Sequence, residues 1–457
     1  MEGAWAIEHD FIESTFRGLY SGLFSFVKAS NGRRELLLCQ REPSTDDFQL
    51  IVGPPGTGKT SVTLRRMVET QHGEGKRLLL TAYTNRAVDE ICEMLEQTGL
   101  EYVRIGKPLS CGETYRHRLL MNVSKQFGKR SEIVDYLKNT QIIVGTVASL
   151  TSHLNLFDVL RFDILIIDEA SQILEPQLLP LLCRHEGKFV MIGDHKQLPA
   201  VVVQSEQQSE VLSPTLRAIG LTNCRNSLFE RLYNWVADKP GMVQLLDRQG
   251  RMHPQISKFA SLQFYGDCLD IVPLPHQQAS LPYLLYSREE SVVATRRVAF
   301  FDVPSPSLAD RQPKMNLAEA KKIVRLVTLL QSLHQRNNLP FSVSAQVGII
   351  VPFRRQIAAV RHLLRQAGVA DAQQVLIDTV ERYQGSQKDI IIYGTTVSRR
   401  YELDLLSNIV ETADGTLVDR KLNVAVTRAR QQFFLVGSRR LLRQNPLYAS
   451  LIQYLEA

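Results

Sequence analysis

Short, continuous apolar runs recur along the chain between longer polar stretches. Leu50, Ile51 and Val52 end one such run, FDILII (162–167) is another, and KFVMIG (188–193) a third. VGIIV (347–351), DIIIYGT (389–395) and FFLVG (433–437) follow in the second half. Runs without polar alternation suit strands covered on both faces, which is the situation in parallel sheets with crossover helices. The pattern therefore predicts an α/β chain of two doubly wound parallel-sheet domains in tandem, over 49–239 and 240–457. Residues 1–48 read as a short helical leader and a polar connector ending in REPSTDD, and Pro273 to Pro282 as an irregular surface crossing. There is no internal repeat and no low-complexity segment.

The first apolar run opens directly into Gly53, Pro54, Pro55, Gly56, Thr57, Gly58, Lys59 and Thr60, which fits the spacing G-x-x-x-x-G-K-[ST] without a mismatch. Glycines let successive N–H groups converge on phosphate oxygens at the start of a helix expected near Lys59. In such a loop the ammonium of Lys59 meets the β- and γ-phosphates of ATP, and the Thr60 hydroxyl ligates Mg²⁺.

FDILII ends in Asp168 and Glu169, placing two carboxylates at the carboxyl end of a central strand, where open α/β sheets bind ligands. Phosphoryl transfer to water needs one carboxylate for the hydrated metal and one for the water. Asp168 is assigned to the first role and Glu169 to the second. KFVMIG leads to Gln197, placed either to sense the γ-phosphate or simply to shape a turn.

Composition alters this picture little. With 457 residues, 44% of them hydrophobic, the chain can bury two ordinary cores. Fifty-four Lys and Arg against 47 Asp and Glu leave a formal charge of +7, which favours contact with polyanions. The six cysteines, none in a C-x-x-C pair, are expected to be free thiols in a reducing, intracellular compartment, cytoplasmic or nuclear. Neither a signal peptide nor a membrane-spanning run is visible, so no membrane partner is expected.

Taken together in order, TAYTNRAVDEI (81–91), VGTVASL (144–150), IIDEASQ (166–172), GDHKQLPA (193–200), SLFERL (227–232), QGRMHP (249–254), VGIIVPFRRQ (347–356), DTVERYQGSQKDIII (378–392) and LNVAVTRAR (422–430) carry a resemblance. The chain resembles a superfamily 1 helicase of the 5′-to-3′ branch that includes the nonsense-mediated-decay helicases and the helicase half of the replication nuclease-helicases. The likeness implies two RecA-like domains and hydrolysis of ATP between them. It implies that Arg251 of QGRMHP and Arg428 of TRAR reach the γ-phosphate, a task suited to a permanently charged planar fork. Gln384 and Gly385 would join the second domain to the nucleotide. Thr84, Asn85, Thr146, Pro352, Phe353, Arg354 and Thr379 fall where relatives line a channel for single-stranded DNA or RNA, gripping phosphate and sugar without reading bases. Each of these hydroxyls taken singly fits a helix cap equally well.

Three positions depart from the family pattern. Leu36 stands near where relatives carry an adenine-reading glutamine, with Gln40 as a neighbouring substitute; Gly250 replaces a base-stacking tyrosine; and Gln387 replaces a glutamate. The expected consequence is tolerance of nucleoside triphosphates other than ATP.

An insertion at about 101–140 gathers Arg104, Lys107, Arg116, Arg118, Lys125, Lys129 and Arg130 around Tyr115 and Phe127. It fits either a patch that tracks a phosphodiester backbone or a solvated helical face. The expected function is an ATP-dependent translocase on single-stranded nucleic acid. The alternative is an NTPase switch within a larger assembly, because a short region before the phosphate loop is consistent with part of a longer polypeptide.

Overall fold

The computed structural model describes residues 20, 22, 24–306, 312–412 and 415–457. Most of the expected leader thus lies outside the described residues. What is described of it includes helix Asn31–Leu37, capped by the Ser30 hydroxyl, which accepts from Arg33 N at 3.3 Å. That helix buries Leu36 and Leu37 in the first core.

Contacts divide the chain into two compact units. The first runs to Gly53 and also holds Gly58–His195 and Pro199–Leu246; the second comprises Pro54–Thr57, Lys196–Leu198 and Asp247–Ala457.

The first unit contains a seven-stranded sheet of β1 (Phe48–Val52), β2 (Leu78–Ala82), β3 (Tyr102–Ile105), β4 (Ile142–Thr146), β5 (Ile164–Asp168), β6 (Lys188–Gly193) and β7 (Val243–Leu245). Their order is β3-β4-β2-β5-β6-β1-β7, and every pairing is parallel. β2, β4 and β5 are buried along their whole length, as their unbroken apolar sequences require. One face packs on Val88, Ile91 and Leu95 of helix Asn85–Thr98; the other packs on Leu181, Leu228 and Leu232. β7 pairs with β1, Leu50 opposite Val243, so the first sheet extends past the boundary expected near 239. Only three residues long, β7 offers too little apolar pattern to be seen in sequence.

In the second unit, β8 (Arg248–Gln249) and β9 (Asp270–Ile271) form a small parallel pair. The main sheet joins β10 (Val298–Asp302), β11 (Val347–Ile350), β12 (Leu376–Asp378), β13 (Lys388–Gly394) and β16 (Ala429–Gly437), while β14 (Ile409–Glu411) and β15 (Leu417–Asp419) make an antiparallel hairpin. Strand order in the main sheet is β10-β16-β13-β11-β12, all parallel, giving the second doubly wound layer expected. Helices Leu317–Arg336 and Arg354–Gln366 contribute to the core on one face; Pro254–Phe264 and Pro446–Glu456 contribute to that on the other.

The stretch Pro273 to Pro282 is not merely a surface crossing. It contains helix Pro275–Gln278, and Gln277, 1% exposed, donates from Nε2 to the carbonyls of Gln249 (3.1 Å) and Met252 (2.9 Å). A polar side chain in a Pro-bounded segment gives no apolar signal, so its burial is invisible until its partners arrive from elsewhere.

Candidate nucleotide and strand sites

The phosphate loop leaves β1 where the N–H of Gly53 donates to the Gly193 carbonyl at the end of β6, 2.9 Å away. Gly58 adopts φ +71°, and a Cβ there would lie 2.9 Å from Val62 Cγ2, so both conformation and space require glycine. The helix expected near Lys59 begins as a wide π turn, Lys59–Leu64, before Arg65–Gly73 continues as α. Such turns are rare and occur often at functional sites.

Within the first unit, Lys59, Thr60, Asp168 and Glu169 converge. Lys59 Nζ donates to the Gly53 carbonyl at 2.9 Å and lies 3.9 Å from Glu169 Oε1. The Thr60 hydroxyl donates to Asp168 Oδ2 at 2.7 Å. Asp168, at the end of β5, is 1% exposed, and its other oxygen accepts the Glu169 N–H at 2.9 Å. Burial, and then the neighbouring Glu169 charge, raise the Asp168 carboxyl above its ordinary range. A cation beside it would offset both effects. Glu169 takes a left-handed backbone, φ +51°, uncommon for a residue with a side chain. Its Oε2 accepts from Gln172 Nε2 at 2.9 Å.

This donor set fits a hard divalent cation. A hydroxyl and one carboxylate, with remaining positions left to phosphate and water, is how Mg²⁺ is usually held. Among the described residues no group of three or more His, Cys, Asp or Glu side chains is arranged to hold a metal, and an ion of this kind does not need one.

Arg428 and Gln197 meet inside the second unit. Arg428, 3% exposed, donates through Nη2 to Gln197 Oε1 at 2.9 Å and through Nε to the Val424 carbonyl at 3.2 Å. Arg251 Nη1 donates to the Thr427 carbonyl at 3.3 Å, one residue before Arg428. Gln249, fully buried, accepts from Arg251 N at 2.9 Å and Met252 N at 2.7 Å through one side-chain oxygen. Gln249 was not singled out in sequence, although as the first residue of QGRMHP it stood in view. Gly385 has φ +76° next to Ser386, whose carbonyl accepts from Arg428 Nη1 at 3.5 Å. Gln384 is half-buried in the same segment. Also in this unit, the Thr57 hydroxyl donates to the Pro54 carbonyl at 2.8 Å, and Gly250 N donates to the Gly56 carbonyl at 2.9 Å. A Cβ on Gly250 would come within 3.0 Å of Leu274 Cδ1, a tight contact that the exposed leucine side chain would have to yield to. Leu36 is a core residue, whereas Gln40 and Gln387 are exposed.

The residues expected to line a strand channel lie at the carboxyl edges of their sheets. Thr84 and Asn85 follow β2 and Thr146 ends β4; both hydroxyls cap helices, accepting from Ala87 N and Ser149 N at 3.1 Å each. Pro352, Phe353 and Arg354 follow β11, with Arg354 exposed at the first turn of its helix. Thr379 follows β12, its N–H donating to Asp378 Oδ1 at 2.8 Å.

The basic insertion does not form one outward patch. Arg104 lies in β3, is 1% exposed and is paired with Asp89. Arg118 is paired with Glu96 at 3.0 Å and with Glu101, and Arg116 with Glu113 at 3.4 Å. The reading as a backbone-tracking patch is therefore corrected for Arg104 and Arg118. Asp89 and Glu96 lie on the neighbouring helix Asn85–Thr98 and Glu101 at the start of the segment, and only the fold brings them close. Lys107, Lys125, Lys129 and Arg130 remain exposed.

Residues 224–440 match the family AAA_12, described as an AAA domain, and residues 33–132 and 112–205 match AAA_11, described likewise. The chain is 30% identical over 438 residues to the DNA replication ATP-dependent helicase/nuclease DNA2 of Bos taurus, the match covering 90% of this chain and 37% of that protein. It is 29% identical over 447 residues to the DNA replication ATP-dependent helicase/nuclease JHS1 of Arabidopsis thaliana, with 94% and 30% covered. Against the DNA polymerase alpha-associated DNA helicase A of Schizosaccharomyces pombe it is 29% identical over 441 residues, with 86% and 61% covered. The chain thus spans about a third of the length of the first two. No helix among the described residues is long and apolar enough to cross a membrane.

Proposed function

The chain belongs to the superfamily 1 helicases, and from that premise we propose that it hydrolyses ATP with Mg²⁺ and moves 5′-to-3′ along single-stranded nucleic acid. The observation that carries the chemistry is the convergence of Lys59, Thr60, Asp168 and Glu169 at one sheet edge. Lys59 neutralises the β- and γ-phosphates. Thr60 and Asp168 hold the metal, which when bound supplies charge stabilisation to the transferring phosphoryl group. Glu169, steadied by Gln172, orients the attacking water and accepts its proton. Gln197 senses the γ-phosphate, and Arg428 and Arg251 stabilise charge developing on it. Gln384 and Gly385 support the nucleotide from the segment beside Arg428. Pro54, Pro55, Gly56 and Thr57 complete the loop that cradles the phosphates.

Thr84, Asn85, Thr146, Pro352, Phe353, Arg354 and Thr379 grip the strand. DNA is the favoured track because the similar proteins are named as DNA helicases. With Gly250 in place of an aromatic ring, the base is held loosely, and other nucleoside triphosphates should support turnover. Further domains of a longer polypeptide are compatible with the fraction of its relatives that the chain spans.

The test is steady-state hydrolysis with and without single-stranded DNA or RNA. Strong stimulation by DNA is expected, stimulation by RNA alone would reassign the track, and rapid turnover indifferent to both would overturn the motor reading in favour of a switch.

A further inference from the structure

At the carboxyl edge of the second sheet a fully buried acid does work that no phosphate chemistry demands. Glu319, on helix Leu317–Arg336, has no exposed surface. Its Oε2 accepts the N–H of Thr396 at 2.6 Å; its Oε1 accepts from Asn316 Nδ2 at 3.1 Å and from the Thr395 hydroxyl at 3.5 Å. Thr396 follows β13 with φ +60°, a left-handed backbone that a β-branched residue adopts only under constraint. Asn316 is itself held from the other side, its N–H donating to Gln356 Oε1 at 2.9 Å and its carbonyl accepting from Gln356 Nε2 at 3.0 Å. Gln356 is also fully buried, and stands two residues after Arg354 on helix Arg354–Gln366.

A continuous buried chain of hydrogen bonds therefore joins the segment that carries Phe353 and Arg354 to the loop after β13. Beyond Thr396 that loop is closed by Glu402, whose Oε2 accepts from Ser398 N at 2.7 Å and Arg399 N at 3.0 Å. Arg399 and Arg400 are left exposed at its tip.

We infer that Glu319 is a positioning residue for strand binding: through Thr396 it sets the direction in which the Ser398–Arg400 loop leaves the sheet, in register with Pro352–Arg354. This rests on the strand-binding function proposed above. Buried polar chains hold one arrangement through the bonds they make, here those of Glu319, Asn316 and Gln356, while the Thr396 and Ser398 hydroxyls themselves find no partner among the described residues. Phosphates of a strand gripped by Arg354 would then also meet guanidinium groups at the loop tip. Burial pushes the Glu319 carboxyl up to about 8. Near neutrality the link is thus held largely as a neutral acid; an amide keeps the acceptor for Thr396 N but not the one that Asn316 Nδ2 uses.

The experiment follows ATP turnover of the full chain against the concentration of an oligothymidylate. Glu319→Met keeps the volume and removes the acceptors. It is expected to raise the half-saturating strand concentration about tenfold, the scale for leaving a buried donor unsatisfied, with turnover at saturating strand within about twofold. Glu319→Gln, which retains an acceptor for Thr396 N, should return the half-saturating concentration to within about threefold of the original. Gln356→Met cuts the chain at its far end and should reproduce the Glu319→Met shift; it carries the test alone if Glu319→Met does not fold. An unchanged half-saturation in either folded methionine variant would overturn the inference, as would a fall in maximal turnover and melting temperature without that shift. A wild-type chain that no strand stimulates fails the strand-binding reading itself, and is seen before any variant is made.

Discussion

Asp168 and Glu319 are both carboxyls buried at the carboxyl edge of a parallel sheet, and burial drives both upward from their ordinary range. Their partners separate them. Asp168 faces a hydroxyl, with the ammonium of Lys59 one residue away beside Glu169, so its unmet charge is directed at a site where a cation and phosphates fit. Glu319 faces an amide side chain, a hydroxyl and a backbone N–H, so its oxygens are consumed in holding the chain. On the roles proposed above, the same desolvation serves chemistry at the edge of the first unit and positioning at that of the second. What an acid does is decided by what accompanies it into the interior.

The sharpest way to break this contrast is Arg428, which lies in the second unit yet is assigned to chemistry. Arg428→Ala should lower strand-stimulated turnover by about 10³ to 10⁵-fold, the range for arginines that act on a γ-phosphate. A loss under tenfold in steady-state assays would leave the second unit purely positional.

Next in size, Glu169→Gln should cost about 10² to 10⁴-fold in turnover, as expected for loss of a general base, while anisotropy of a labelled strand shows binding retained. Parallel loss of strand affinity would mean that the first edge also positions.

The proton on Glu319 gives a smaller effect with a definite sign. A native carboxyl at about 8 against an ordinary value of 4.5 means the folded state binds the extra proton throughout that window. Its contribution to stability is complete below about pH 4.5 and is lost as pH rises through about 8. Calorimetric melting should therefore show a transition that falls between these limits, and Glu319→Gln should flatten it. A wild-type melting temperature independent of pH over that range would contradict the assignment.

The smallest prediction concerns Thr84. As a helix cap it should cost about 1 kcal/mol of stability when changed to Ala, measured by urea unfolding, and little when changed to Ser. If Thr84→Ser instead loses strand affinity while stability holds, the methyl group of Thr84 belongs to the channel as well.

Legibility followed the physics of each signal. The six apolar runs became strands, because a strand covered on both faces has to be apolar along its length. Pro54 to Thr60 was equally plain, since a phosphate cradle needs glycines and a lysine at fixed spacing. Arg104 misled because charge in sequence looks exposed until Asp89 is brought to it by the pairing of β3 with β4 and the packing of helix Asn85–Thr98. β7 was too short to register, and Gln277, Gln249 and Gln356 carry no periodic signal at all.

Local pattern and fixed spacing were enough to read off the two doubly wound layers, the order of the chemical motifs and the grouping of Lys59, Thr60, Asp168 and Glu169. Which charges are internal, that Gln249 anchors the Arg251 backbone and that Glu319 reaches Thr396, 77 residues away, emerge once the chain is folded. Those bonds join residues far apart in the chain, and a polar side chain does not reveal its partner until folding removes the water that would otherwise take its place.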